Sequence, residues 1–295
     1  MEPTDSERVM QERKETEVRD VLGFFKWVKE TFFIDYQVGG ETWRWLQDKV
    51  YYRGHSNKTW KLLPSIFRKE ESRPTWLDEC NILDRASQVL WSELSSMKYL
   101  ERLIYLQHYG LRTRLLDVTF NPLIALYFAC DGNPSETGVV YCGHSHDIGN
   151  DDDYIRTEVP EITAKYLFTH KRLDGLLTWC KGYNVDIENL TVPMFIHPPI
   201  NNPRIEAQNG AFIMTPLAKK EGDKYKLSED ALESFFEERV ALIPGDCKEN
   251  ILRELSILGI NSGSIFQSVT EKLQTIMQED WWNISKEIIF DDYLH

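Results

Sequence analysis

The chain has 295 residues, 42% hydrophobic and 12% aromatic, which is enough apolar surface for one large domain or two smaller ones. Its 34 Lys and Arg stand against 47 Asp and Glu, a formal charge of −13, so contact with nucleic acid through the whole surface is excluded and only a local patch could serve. The longest apolar stretch, Pro122 to Cys130, falls far short of the roughly 20 residues of a membrane helix, and five scattered cysteines without a C-x-x-C pair argue against a disulfide framework or a zinc ribbon.

These features predict a cytoplasmic protein with reduced thiols and no membrane partner. Met1 to Asp20 is polar, lacks the apolar core of a signal peptide, and reads as a frayed lead-in. From Val21 the apolar residues crowd together: Val21, Leu22, Phe24, Phe25, Trp27 and Val28, then Trp43, Trp45, Leu46 and Val50. Their spacing predicts an amphipathic helix, a loop at Gly39-Gly40 and an extended segment at Val50–Arg53. Leu77 to Gln107 carries one apolar stripe at three- and four-residue steps, the pattern of a long helix stopped near Gly110. Asn121 suits the cap of a second helix, with Pro122 in its first turn, Leu123 to Cys130 filling it and Asp131-Gly132 ending it.

Beyond that point the pattern becomes strand-like. Gly138 to Cys142 is short and rich in β-formers, and Thr191 to His197 is bounded by Pro198-Pro199. Arg204 to Gln208 and Ala211 to Thr215 flank Asn209-Gly210, a two-residue hairpin signal. Glu249 to Leu258 predicts a helix ended by Gly259, and Ile265 to Met277 another. The expected class is α+β, with central antiparallel strands and helices towards both ends. Three regions follow: a helical N-terminal segment over 1–45, a central domain over 46–216, and a helical C-terminal extension over 217–295.

Three segments carry more chemistry than packing requires. In Tyr51-Tyr52-Arg53-Gly54-His55, an Arg followed by Gly sets a guanidinium where a ligand can approach the backbone. Gln107 to Thr119 runs into the Asn121-Pro122 helix start and crowds Arg112, Arg114, Thr113, Thr119 and Asp117 around a helix N-terminus, an arrangement suited to phosphate. In Asn202 to Phe212, a strand would project Arg204, Glu206 and Gln208 from one face. Each has a structural alternative. Arg53 would equally brace a buried carboxylate such as Asp117, and Arg112 and Arg114 carry the same ambiguity, alternation sending both to one face. Asp117, Thr119 and Asn121 would equally tie a turn and cap a helix. Glu206 and Gln208 would equally sit on a solvent-facing strand.

Together these segments resemble the FRG-domain family, named for an aromatic-Arg-Gly motif that reads Tyr52-Arg53-Gly54 here. The resemblance continues through Leu106-Gln107-His108-Tyr109-Gly110, Thr113-Arg114-Leu115-Leu116-Asp117 and Asn121-Pro122-Leu123-Ile124-Ala125-Leu126-Tyr127-Phe128-Ala129, and includes Arg204 to Phe212. A second, weaker resemblance is to ADP-ribosyltransferases, whose fold sets an Arg or His on an early strand, a Ser/Thr on the next and a Glu or Gln on a later one. Arg53, then Thr113 or Thr119, then Gln208 follow that order. The resemblance implies an ADP-ribosyltransferase-like mixed fold and NAD as substrate. Arg53 would hold a phosphate or ribose of NAD, and Gly54, Arg114 and Asn121 would belong to the same cofactor-binding set. Thr113 or Thr119 would orient the nicotinamide ribose, Tyr109 or Tyr127 would stack on nicotinamide, and Glu206 or Gln208 would bond ribose hydroxyls and steady the cationic transition state. The acceptor would be a macromolecule (RNA, DNA or protein). Such an activity suits a toxin or phage-defence effector, with an inhibitor or antitoxin protein as a further partner. The alternative is a non-catalytic FRG module that binds a nucleotide, nucleic acid or a partner protein through the same arginines.

Other features point less sharply. His144, Ser145, His146 and Asp147 offer metal-type ligands without a further ligand at suitable spacing, and the Asp-rich 147–153 run lacks the ligand order of a calcium loop, so no metal is expected. Tyr51 to Arg73 holds six basic residues against two acidic ones, either a nucleic-acid patch or a solvated face. Trp281-Trp282 reads as packing.

Overall fold

The computed structural model describes residues 14–38, 41–46, 50–68, 76–144, 153–170, 175–198, 203–221, 224–227, 232, 235–236 and 239–266. Strand β1 (Glu15–Glu17) leads to helix α1 (Val21–Thr31), capped by the Asp20 carboxylate, which accepts from the Gly23 N–H at 2.6 Å. Strands β2 (Phe33–Val38) and β3 (Glu41–Leu46) pair antiparallel, so the N-terminal region expected to be mainly helical is, among its described residues, helical over α1 and carries a strand pair after it. Strand β4 (Val50–His55) follows.

The long helix expected over Leu77 to Gln107 is three helices: α2 (Trp76–Val89), α3 (Trp91–Leu94) and α4 (Tyr99–His108). Lys98 is extended before α4, and the first N–H groups of α4 are satisfied from far along the chain. The Glu161 carboxylate accepts from Tyr99 N at 3.0 Å and Leu100 N at 2.9 Å. One apolar stripe runs through all three because they share a core.

Strand β5 (Leu115–Thr119) precedes α5 (Pro122–Cys130), whose expected cap is present: Asn121 Oδ1 accepts from Leu123 N at 3.0 Å. Next come β6 (Gly138–His144), α6 (Asp153–Thr169), α7 (Leu176–Tyr183) and β7 (Met194–Ile196). The expected Asn209-Gly210 hairpin is replaced by helix α8 (Pro203–Ala207) running into β8 (Gly210–Met214). Pro203 supplies a helical φ at the first position. Asn209, at φ 44°, closes the turn, with Gln208 N donating to Arg204 O at 2.9 Å and Asn209 N to Glu206 O at 3.0 Å.

The expected helical tail is mixed. Strands β9 (Ala218–Glu221) and β10 (Lys224–Leu227) form a separate antiparallel pair, and β11 (Val240–Ile243) precedes α9 (Lys248–Ile257) and α10 (Ser262–Phe266). Gly259, at φ 80°, ends α9 as expected. Most of the Ile265–Met277 helix expectation, and Trp281-Trp282, lie outside the described residues.

The fold is α+β. Its seven-stranded sheet runs β1-β11-β6-β4-β5-β8-β7, antiparallel at every pair except β1 with β11. One face is covered by helices in two separate cores. Side chains of α1, α5 and α9 pack over β4, β6 and β11, whereas α2, α4, α6 and α7 pack over β5, β8 and β7. Tyr51, Leu116, Val118, Tyr141 and Ile213 form a third core on the other face. The seam between the two helical cores falls at β4 and β5. These strands pair only at Tyr52 with Thr119, although each keeps a long ladder with its other neighbour. The sheet is therefore parted along this seam.

Candidate active site

Gly54 is required by helix packing rather than by ligand approach. A Cβ there would lie 1.9 Å from the Ala125 carbonyl oxygen, and one at Gly138 would lie 2.1 Å from that of Ala129. Two glycines on neighbouring strands thus let the Ala125–Ala129 side of α5 settle onto β4 and β6. This seats α5 on one side of the parting, with Ile124 and Phe128 reaching towards it.

Arg53 alternates with Gly54 and shares its face with Tyr51 and His55. Its Nε–H donates to His55 Nε2 at 2.9 Å, and its Nη1 donates to the main-chain carbonyl of Asp117 across the parted strands. Arg53 therefore braces the backbone of Asp117, not its carboxylate. Burial pushes the guanidinium down to about 10, opposed by Asp117, and it remains cationic at neutral pH. His55 is pushed down to about 2, first by burial and then by Arg53 and Arg68. It is a neutral acceptor for Arg53.

A cavity of about 350 Å³ opens at the parting. Arg53 and Gly54 line it from β4, Gln107 and His108 from the end of α4, Asp117 and Thr119 from β5, and Arg204 and Gln208 from α8 and its final turn. Arg112 lines it from the loop after α4. Asp117 is exposed in a strand whose other four residues are buried, and it is the one carboxylate among the described residues lining the cavity. Gln107 Nε2 donates to Asp117 Oδ1 at 2.8 Å. Arg204 also lies over the Phe266 ring at 5.1 Å and helps depress the nearby His108, after burial.

Of the residues the sequence singles out, Arg53, Gly54, Arg112, Asp117, Thr119, Arg204 and Gln208 come together here. Thr119 also ties the turn: its Oγ1 donates to the Gln208 carbonyl at 2.6 Å and accepts from Asn121 N at 3.0 Å. The others lie elsewhere. Glu206 is exposed and off the cavity, because two residues apart on a helix means about 200° of rotation, whereas on a strand it means the same face. Arg114 is fully buried away from the cavity. It donates from Nε to Glu79 Oε1 at 2.8 Å and from Nη1 to Pro216 O at 2.9 Å, and pairs with Glu79 Oε2 through Nη2. Residues 111–114 precede the strand, so alternation does not govern them and Arg112 parts company with Arg114. Tyr127 belongs to the α5 core, Asn121 is spent on its cap, and Tyr109 is exposed against Tyr105 and His108. Thr113 is buried and donates to Gln107 Oε1. Gln107 and His108 take no ligand role in the sequence reading, and their signal is the Gln107-His108-Tyr109-Gly110 run at a helix end.

His146, Asp147, Lys69 and Arg73 lie outside the described residues, and among the described residues no three His, Cys, Asp or Glu side chains group as metal ligands. The five cysteines are buried and none is in a disulfide. No helix among the described residues is long and apolar enough to cross a membrane.

Residues 48–137 match the family model of the FRG domain. No curated protein matches the chain. No solved structure matches it either. The match takes in β4, α4, β5 and α5, and so most of the cavity wall, while α8 and β8 lie beyond it. The segment that carries Arg53, Gln107 and Asp117 is thus the part of the chain that is similar to the FRG domain.

Proposed function

We propose that the cavity binds NAD and that the chain is an ADP-ribosyltransferase-like enzyme acting on a macromolecule. The observation that carries this reading is that Arg53, Thr119 and Gln208 line one cavity and come from β4, β5 and the turn entering β8, three neighbours in the sheet. Arg53, Arg112 and Arg204 face it with Asp117 as the one opposing carboxylate, a charge balance suited to a pyrophosphate. The volume lies at the lower end for small-molecule sites, so it would enclose part of a dinucleotide and leave the rest at the rim.

One observation favours the second reading, a non-catalytic nucleotide-binding module. Gln208 is neutral and Glu206 points off the cavity, so neither supplies a charge at the site. Calorimetric titration of NAD, with nicotinamide release measured on the same full-length protein, separates the two. Binding with release supports transfer. Binding without release leaves the module, and no binding removes both. Arg112→Ala with Arg204→Ala weakens NAD binding on either reading.

A further inference from the structure

We infer that Asp117 is the catalytic carboxylate of this site, and that Thr113 and Gln107 are the positioning residues that aim it. The inference rests on the NAD reading above and supplies the charge that Glu206 and Gln208 do not. Its starting point is the hydrogen-bond direction along a three-residue relay. Thr113 Oγ1 accepts from Leu115 N at 3.1 Å and donates its hydroxyl proton to Gln107 Oε1. That fixes the amide of Gln107, so Nε2 is the end that reaches Asp117 Oδ1 at 2.8 Å. The main-chain carbonyl of Asp117 is held separately by Arg53. Side chain and backbone of Asp117 are thus anchored from opposite sides of the parting; among the described residues the one side-chain hydrogen bond is at Oδ1, and the exposed residue lines the cavity.

This arrangement suits a general base. In the step proposed, the bond between the nicotinamide nitrogen and the ribose C1′ breaks, and its electron pair leaves with nicotinamide. An acceptor hydroxyl, or water in its absence, forms the new bond to C1′ and passes its proton to Asp117 Oδ2, which later returns it to solvent. Ionised Asp117 also opposes the positive charge developing on the ribose ring, which Gln208 cannot do. Fixing one carboxylate oxygen leaves the other as a single, directed acceptor.

The test uses the full-length protein with NAD as probe. Asp117→Asn preserves the Gln107 contact and sits at an exposed position, so its thermal melt stays at that of wild type. It binds NAD within about threefold of wild type, while nicotinamide release falls by about 100-fold or more. Thr113→Val lowers kcat by about tenfold with KM unchanged, and Thr113→Ser restores it. The inference is overturned if Asp117→Asn releases nicotinamide within tenfold of wild type, or if Glu206→Gln abolishes release and Asp117→Asn does not. A wild-type protein that neither binds nor cleaves NAD instead removes the NAD reading itself, before any variant is compared.

Discussion

Substituting Gly54 by Ala adds one methyl group and tests how α5 is seated. The φ of Gly54 is outside the left-handed region, so alanine suits its backbone, and the loss of unfolded-chain freedom would by itself stabilise the variant by about 0.4–1 kcal/mol. Against this, the new Cβ would stand 1.9 Å from the Ala125 carbonyl oxygen and 2.8 Å from the Ala129 nitrogen, where ordinary contact begins at 3.4 Å. Both opposing atoms are main chain in a helix held on its other side by α9, so no side chain can swing aside. Overpacking of this kind costs about 3 kcal/mol or more, leaving a net destabilisation of at least about 2 kcal/mol. Urea unfolding followed by tryptophan fluorescence measures it, and a melting temperature lower by about 4–8 °C accompanies it. Gly110→Ala is the contrast: it has nothing within 4 Å but a φ of 91°, so only backbone strain of about 1–2 kcal/mol opposes it. A Gly54→Ala protein within 0.5 kcal/mol of wild type would refute the close-seating argument.

Three further outcomes follow from buried polar groups. Glu79→Ala leaves the fully buried Arg114 guanidinium without its carboxylate and lowers stability by about 3–5 kcal/mol, whereas Glu79→Met with Arg114→Leu recovers most of the loss in the same urea titration. Lys248→Met removes the ammonium that donates to the carbonyls of Ser56 at 2.6 Å and Asn133 at 2.9 Å, and stability falls by about 2–4 kcal/mol. His55 titrates near 6.5 when unfolded but only at about 2 when folded, so between those values the unfolded chain binds the extra proton. Stability is therefore full above pH 6.5 and declines as pH falls, by up to about 1.4 kcal/mol per unit from this group. Denaturation of wild type beside His55→Gln between pH 7 and 5 reads the difference, and equal slopes would count against a neutral buried His55.

What was legible in the sequence was local chemistry. The Asn121-Pro122 start of α5, the glycine stop after α9 and the class of the fold all follow from bonds or backbone preferences within a few residues. What was not legible depended on partners far along the chain. The break before α4 is satisfied by Glu161, and Arg114 is claimed by Glu79, neither of which any local pattern announces. At Arg204 to Gln208 two local signals competed: Asn209-Gly210 favours a hairpin and Pro203 favours a helix start. The helix won because Asn209 in the left-handed region closes a helical turn as readily as a hairpin. That one outcome moved Glu206 off the cavity while leaving Gln208 on it. Asp117 reads in sequence as a turn-forming residue, and its opening to the cavity becomes visible only once the two strands are known to part.

The parted sheet also separates the unit of family resemblance from the unit that folds. Cut down to residues 48–137, the polypeptide would keep the weak junction between β4 and β5 and lose both strong ones, since β6 and β8 begin beyond its end. Each strand would present an open edge. The Lys248 tie to the loops after β4 and α5 would go as well. Such an excised piece would carry the whole matched stretch and yet, with its strand edges open, be prone to pair with copies of itself instead of forming a site. Heredity marks the stretch that resembles a family, while autonomy in solution belongs to the longer chain around it.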